Sequence, residues 1–168
     1  IAIENTRLLN ELRESLEQQT ATSEVLKVIS SSQGDLDPVF QAMLENAVRI
    51  CDASFGMLFR IKDGLVSAAA MIGVPPQFAE FWRRGPQRPG SRTAFARMIE
   101  EKRTVHIADV RTEAGYVEGE PVFVAAVNLA GFRTLLTVPM LKDNELIGAF
   151  AIYRQEVRLF GDKEVELL

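Results

Sequence analysis

Apolar and polar positions along this chain follow two different periods, and the change of period divides it. Residues 1–32 contain no Gly or Pro and are rich in Glu, Gln and Leu, a composition that favours helix. Ala2, Asn5, Leu9, Leu12, Leu16, Gln19, Ser23 and Leu26 recur at alternating steps of three and four. That is a heptad seam, apolar in its middle and polar toward both ends. It is either the inner face of an amphipathic helix lying on its own domain or a parallel coiled-coil connector between two protomers. A helix of this length spans about 45 Å at 1.5 Å per residue, more than one small domain covers. The connector is therefore favoured, with Leu9, Leu12, Leu16 and Leu26 as dimerisation residues.

Ser31-Ser32-Gln33-Gly34-Asp35 interrupts the helical pattern, and Asp37-Pro38 reads as an N-cap followed by Pro at the first helical position. Phe40, Met43, Leu44, Ala47, Ile50 and Cys51 then fall at helical spacing, predicting a helix over 38–51. The period next shortens to that of strands. Residues 54–61 and 65–71 flank Lys62-Asp63-Gly64, where Asp-Gly signals a tight hairpin turn. Glycines and prolines punctuate 73–90 and leave room for one short helix over 77–82. Ser91 reads as the cap of a further helix over 92–101. A short strand follows over 104–107. Pro121 opens a helix that Gly131 ends. A second hairpin runs through GFRTLLTVPMLKDNELIGAFAIYR with Lys142-Asp143-Asn144-Glu145 at its tip. A last helix starts at 161–164. Hairpins at both ends with helices between them predict an α+β fold with an antiparallel sheet, helices on both faces and a long irregular connection across it. The division is a connector helix over 1–33 and a globular domain over 34–168.

Composition narrows the function. The chain has 168 residues, 47% of them hydrophobic, and a formal net charge of -4. The mild acidity offers no general reason to bind nucleic acid or an anionic membrane. No apolar run is long enough to span a bilayer, and no signal-peptide pattern opens the chain. One cysteine, Cys51, excludes an internal disulfide framework and fits a reducing cytoplasm. It falls on the apolar stripe of its helix, so it reads as a small buried hydrophobe. With a single Cys and a single His, a structural zinc site is set aside.

The segments RICDASFGMLFRIKDG, GSRTAFARMIEEKRTVHIADV, GFRTLLTVPMLKDNELIGAFAIYR and VRLFGDKEVELL, in that order, resemble the GAF domains of bacterial sensor histidine kinases. The resemblance covers 36–168 and is densest in GFRTLLTVPML and IGAFAIYR. It implies an antiparallel sheet of about six strands with helices behind it and a loop-covered pocket in front. It also implies a sensory or regulatory module for a small ligand, or a dimerisation and relay module without one. IAIENTRLLNEL looks like the end of the exit helix of a preceding domain of this kind, and FGDKEVELL like the start of such a helix. A tandem arrangement of sensor domains in a histidine kinase is thus expected, with no catalytic domain within this chain.

No catalytic constellation emerges from the residues. His106 lies in the strand-like TVHIADV, and there is no Gly-x-Ser-x-Gly elbow to pair with it. Methionine sulfoxide reduction on this fold uses paired cysteines, and one thiol cannot resolve itself. Thiol redox chemistry through Cys51 remains as the enzymatic alternative. Covalent bilin attachment is disfavoured by the position of Cys51, the Asn-Lys-x-Phe-Asp-Glu pattern of the cyclic-nucleotide branch is missing, and there is no phosphate loop. The cofactor, if there is one, is not identified. Arg83, Arg84, Arg88, Arg92, Arg97, Lys102 and Arg103 form a local basic cluster. It is either a solvated surface or a positive field at the pocket mouth that favours a small anionic ligand. The candidate ligand-binding residues are Phe78, Trp82, Arg92, Thr93, Phe95, Asp109, Tyr116, Arg133 and Thr134. For Asp109 a turn-capping role competes with ligand binding, and for Arg133 a salt bridge does. The chain is thus expected to be a cytoplasmic, non-enzymatic sensor module that forms a homodimer through its first helix and acts on neighbouring sensor and kinase domains.

Overall fold

The computed structural model describes the backbone of residues 2–31 and 36–168 and the side chains of 2–19 and 36–168. Of the expected break over 31–35, Ser31 still belongs to the first helix, and 32–35, like the seam side chains Ser23 and Leu26, lie outside the described residues. The first helix, α1 (Ala2–Ser31), is followed by α2 (Asp37–Ile50), which Pro38 opens. Leu36, not Asp37, is the N-cap of α2, and no side-chain cap bond forms there. Pro38 supplies the fixed φ of the first turn without one.

The first hairpin pairs β1 (Phe55–Lys62) with β2 (Leu65–Ile72), and the second pairs β4 (Thr134–Lys142) with β5 (Glu145–Arg154). Both turn through two residues at positive φ: Asp63 (54°) and Gly64 (73°) in one, Asp143 (52°) and Asn144 (62°) in the other. A turn of that hand matches the twist of the flanking strands. Between the hairpins lie α3 (Pro76–Arg83), α4 (Ala94–Glu101), β3 (Val105–Ile107), a 3-10 turn (Val110–Thr112), α5 (Ala114–Val117) and α6 (Pro121–Ala130); α7 (Asp162–Glu166) comes last. The sheet is antiparallel throughout, in the order β2-β1-β5-β4-β3.

Among the described residues the sheet has five strands rather than the six the resemblance implied. Beside β2 there is a single bridge, in which Val66 and Gln87 exchange two backbone hydrogen bonds of 2.8 Å each. Pro89, two residues after Gln87, lacks the N–H group that would form the next pair of the ladder.

Strand alternation sends side chains to two separate cores. Phe55, Met57, Phe59, Leu135, Ala151 and Tyr153 face the layer made by α3, α4 and α6. Leu58, Leu136, Phe150 and Ile152 face α2 and Phe160. The second layer sits close. A Cβ on Gly56 would lie 2.6 Å from Val48 Cγ2, so only a glycine lets α2 approach β1 this closely. On α1, Leu9, Leu12 and Leu16 are each more than half exposed (57%, 55% and 52%), as is Leu8 at 54%. Among the described residues no helix is long and apolar enough to cross a membrane.

Candidate functional site

On the first of the two faces, the sheet and its helical cover enclose a cavity of about 60 Å³, partly open to solvent. Its floor is sheet: Val66, Leu135 and Tyr153. Its walls are Phe78 and Trp82 from α3, Thr93 and Phe95 at the start of α4, and Phe123 and Ala126 from α6. Each element has a local reason to be there. Thr93, not Ser91, is the N-cap of α4. Its Oγ1 accepts from Ala96 N at 3.2 Å and donates to Gly90 O at 2.9 Å. Both residues are competent caps; Thr93 wins because its hydroxyl also closes the loop on Gly90. Glu120 caps α6, accepting from Phe123 N at 2.7 Å, and its side chain lies at the cavity rim. Gly131 ends α6 in the left-handed conformation, at φ 67°.

Of the nine candidate ligand residues, the structure gathers Phe78, Trp82, Thr93 and Phe95 around the cavity. The rings are fixed by one another. Trp82 packs against Phe59, Phe78 and Phe81 with ring centroids 4.7, 6.3 and 5.6 Å apart, and Phe95 meets Phe59 at 5.1 Å. The indole Nε1 of Trp82 is buried without a hydrogen-bond acceptor among the described residues.

The other five are placed elsewhere. Arg92 is exposed and pairs with Glu118. Tyr116 is half-buried against the same core without lining the cavity. Arg133 and Asp109 form a two-pronged ion pair, Nε to Oδ1 at 3.0 Å and Nη2 to Oδ2 at 2.6 Å. That guanidinium holds the Asp109 carboxyl below the usual carboxylate range, while Asp109 also caps the following turn through Arg111 N. Thr134 is fully buried as a staple: its Oγ1 lies 2.7 Å from Ala108 O and 3.0 Å from Glu156 O, both acceptors, and accepts from Arg158 N at 3.0 Å. The basic cluster is partly neutralised where it nears the cavity, by Glu118 on Arg92 and by Glu113 on Arg97 at 2.7 Å.

Sequence reasoning missed the floor and the α6 wall. The α6 signal was available: Phe123, Ala126, Val127 and Ala130 recur at helical spacing and are the buried face. It also missed Arg154, a fully buried guanidinium at the end of β5. Arg154 Nε donates to Asp52 O (3.3 Å), Nη1 to Arg158 O (3.0 Å) and Leu159 O (2.8 Å), and Nη2 to Cys51 O and to Glu164 Oε2 (3.3 Å). The guanidinium carbon also stands 4.0 Å over the Phe160 ring. Around this clamp sit the two residues weighed for chemistry. Cys51 is buried, and burial together with Glu164 pushes its thiol up to about 12, which suppresses the thiolate that redox chemistry needs. His106 Nε2 accepts from Phe160 N at 3.2 Å, a structural bond.

A family model described as GAF domain matches residues 35–168. Solved structures share the fold. The GAF domain of a phosphoenolpyruvate-protein phosphotransferase from Coxiella burnetii is similar at TM-score 0.69 and 14% identity, over 90% of this chain and 86% of that one. A domain assigned to a two-component sensor histidine kinase from Sinorhizobium meliloti is similar at TM-score 0.60 and 15% identity, over 80% of this chain and 83% of that one. The fRMsr protein of Staphylococcus aureus, solved in complex with substrate, is similar at TM-score 0.64 and 17% identity, over 91% of this chain and 86% of that one. No curated protein matches the chain in sequence.

Proposed function

The chain belongs to the GAF domain family, and from that premise we propose that it is a non-catalytic sensory and regulatory module of a signal-transduction protein. It binds a small molecule in the cavity and relays occupancy through its terminal helices. The observation that carries this reading is at the end of β5. Tyr153 lines the cavity on one face of the sheet, and the adjacent Arg154 grips Glu164 of α7 and the end of α2 on the other. A group that displaces Tyr153 acts one residue away from the bonds that seat α7. Such a ligand biases the output only by its differential affinity for the two arrangements.

A thermal-shift screen of neutral and anionic small molecules against the whole chain tests the reading. A ligand raises the melting temperature with a saturable dose response and slows amide exchange in α7. A second reading, a relay with no ligand, is favoured by the size of the cavity, about 60 Å³, against clefts of roughly 300–1,000 Å³ for drug-sized ligands. Stabilisation by no compound in the screen would select that reading.

Dimerisation through α1 is supported by the exposure of Leu9 and Leu12. Deleting residues 1–19 is expected to convert the dimer to a monomer in sedimentation experiments, and a persistent dimer would move the interface elsewhere. A histidine kinase output and a cytoplasmic setting are proposed from the sensor-kinase likeness of the motifs, from the Sinorhizobium meliloti domain, and from the lone, buried thiol of Cys51.

A further inference from the structure

The geometry points to the chemical class of the ligand: a small uncharged molecule with an apolar body and one hydrogen-bond acceptor, which accepts from the indole N–H of Trp82. This deepens the sensory reading and rests on it. Three observations carry it. The cavity is walled almost entirely by apolar side chains from both the sheet and its cover. An apolar space of this kind favours an apolar body and penalises a bare charge.

The second observation is the indole Nε1, buried without an acceptor among the described residues, on a residue that lines the cavity. A buried donor left unpaired carries its full desolvation cost, and a ligand acceptor removes that cost. Phe59, Phe78 and Phe81 pack around the ring, and the buried Nε1 takes its acceptor as the guest moves in between the indole and these neighbours.

The third observation is at the rim, where Glu120 is fixed. A Cβ on Gly90 would lie 2.4 Å from both Cγ and Cδ of Glu120, so the glycine is what lets this side chain lie across the loop. Its Oε2 is held by Phe123 N at 2.7 Å. An acidic group tethered there opposes an anion at the entrance and leaves a neutral molecule unaffected. The exposed arginines that suggested an anionic ligand do not line the cavity. The cavity, about 60 Å³ and partly open to solvent, is smaller than the enclosed space of about 150 Å³ that takes benzene, so a guest of about four or five heavy atoms fills it and reaches out through the mouth.

Butanone and propanoate form a matched pair of probes, alike in shape, in which a methyl group of the ketone is replaced by a charged oxygen. The chain has a single tryptophan, so its indole N–H gives one isolated signal in a proton–nitrogen correlation spectrum. Butanone is expected to shift that signal downfield, saturably, in the millimolar range, and to shift the methyl signals of Ala126 and Leu135. Propanoate is expected to bind at least about tenfold more weakly, and W82F to weaken butanone by about tenfold, the size of one hydrogen bond. The spectrum of the unaltered protein stands even if W82F fails to fold. Propanoate binding in the cavity as tightly as butanone would overturn the ligand class while leaving the sensory reading intact. So would butanone shifting Ala126 and Leu135 with the indole signal unmoved. Silence from both probes also overturns the ligand class; the sensory reading falls only if the whole screen of compounds is silent as well.

Discussion

The two faces of β5 solve opposite problems. On one face, next to Tyr153, side chains leave a small apolar space and an indole N–H that has no acceptor among the described residues. On the other face, next to Arg154, nothing is left over: every guanidinium nitrogen is bonded and Phe160 stacks beneath. Under-satisfied packing admits a guest, because an incoming group removes a cost already present in the empty state. Over-satisfied packing transmits, because no atom can move without breaking a bond. The clamp ties together the ends of α2 and β5, the 158–159 turn and the start of α7. Close by, Lys163 reaches Glu14 of α1 at 3.0 Å. Space and stiffness sit one residue apart in the chain.

The comparison breaks most readily at the clamp. R154M strands the carbonyls of Cys51, Arg158 and Leu159, and leaves Asp52 O to Arg158 alone and the Glu164 carboxylate to the Gly161 N–H alone. Removing one partner of a buried charged network costs about 3–5 kcal/mol, so the urea midpoint falls sharply, and no small solute restores it. At the cavity, L135A removes part of the floor, where Leu135 is 2% exposed. The loss is about 2–5 kcal/mol, but here an apolar solute such as benzene is expected to recover part of it through binding to the folded state. Rescue of R154M by benzene, or a failure to rescue L135A, would show that the two ends do not differ as described.

How much of this could be read from the chain depends on whether the signal was local. Hairpins were legible, because period-two alternation and turn residues such as Asp63-Gly64 are properties of short segments. The cover aromatics Phe78, Trp82 and Phe95 were legible for the same reason. The cavity floor was not: Val66, Leu135 and Tyr153 look like any strand core, and only the crossing of α6 leaves space above them. Arg133, Asp109 and Thr134 looked like ligand contacts because polar residues at strand ends are usually free to serve as such. Here Asp109 and Arg133 satisfy each other, and Thr134 is consumed by Ala108, Glu156 and Arg158. Arg154 gave no sign of burial, because its partners are backbone carbonyls, which every residue possesses. The sixth strand that the resemblance implied has only one bridge beside β2 to stand for it, and there Pro89 lacks the N–H of the next pair.

The cap on α4 gives a smaller handle on the cavity side. T93A removes the acceptor for Ala96 N and the donor to Gly90 O. The expected loss is about 1 kcal/mol, read from thermal unfolding, with weaker probe binding because the Gly90 loop that carries Glu120 across it loosens. An unchanged melting temperature would mean that Ser91 takes over as the cap.

The smallest effect, and the one that reports on the clamp without cutting it, is the titration of His106. Burial lowers its pKa from the ordinary value, the positive charge of Arg154 lowers it further, and Asp162 opposes both. The folded state therefore takes up a proton less readily than the unfolded chain. Stability is at its full value above the unfolded pKa of about 6.5. It declines as pH falls through that value and stops declining once the pH is below the lowered folded pKa, where both states are protonated. Protonation would also convert Nε2 from the acceptor of Phe160 N into a donor facing it. Urea midpoints taken from pH 7.5 downward should show this decline, and H106Q should flatten it. In R154M the decline should be shallower than in the unaltered protein, since one of the two causes of the low pKa has gone. An undiminished slope in that variant would mean that burial alone sets the histidine and that the clamp's charge is not felt at β3.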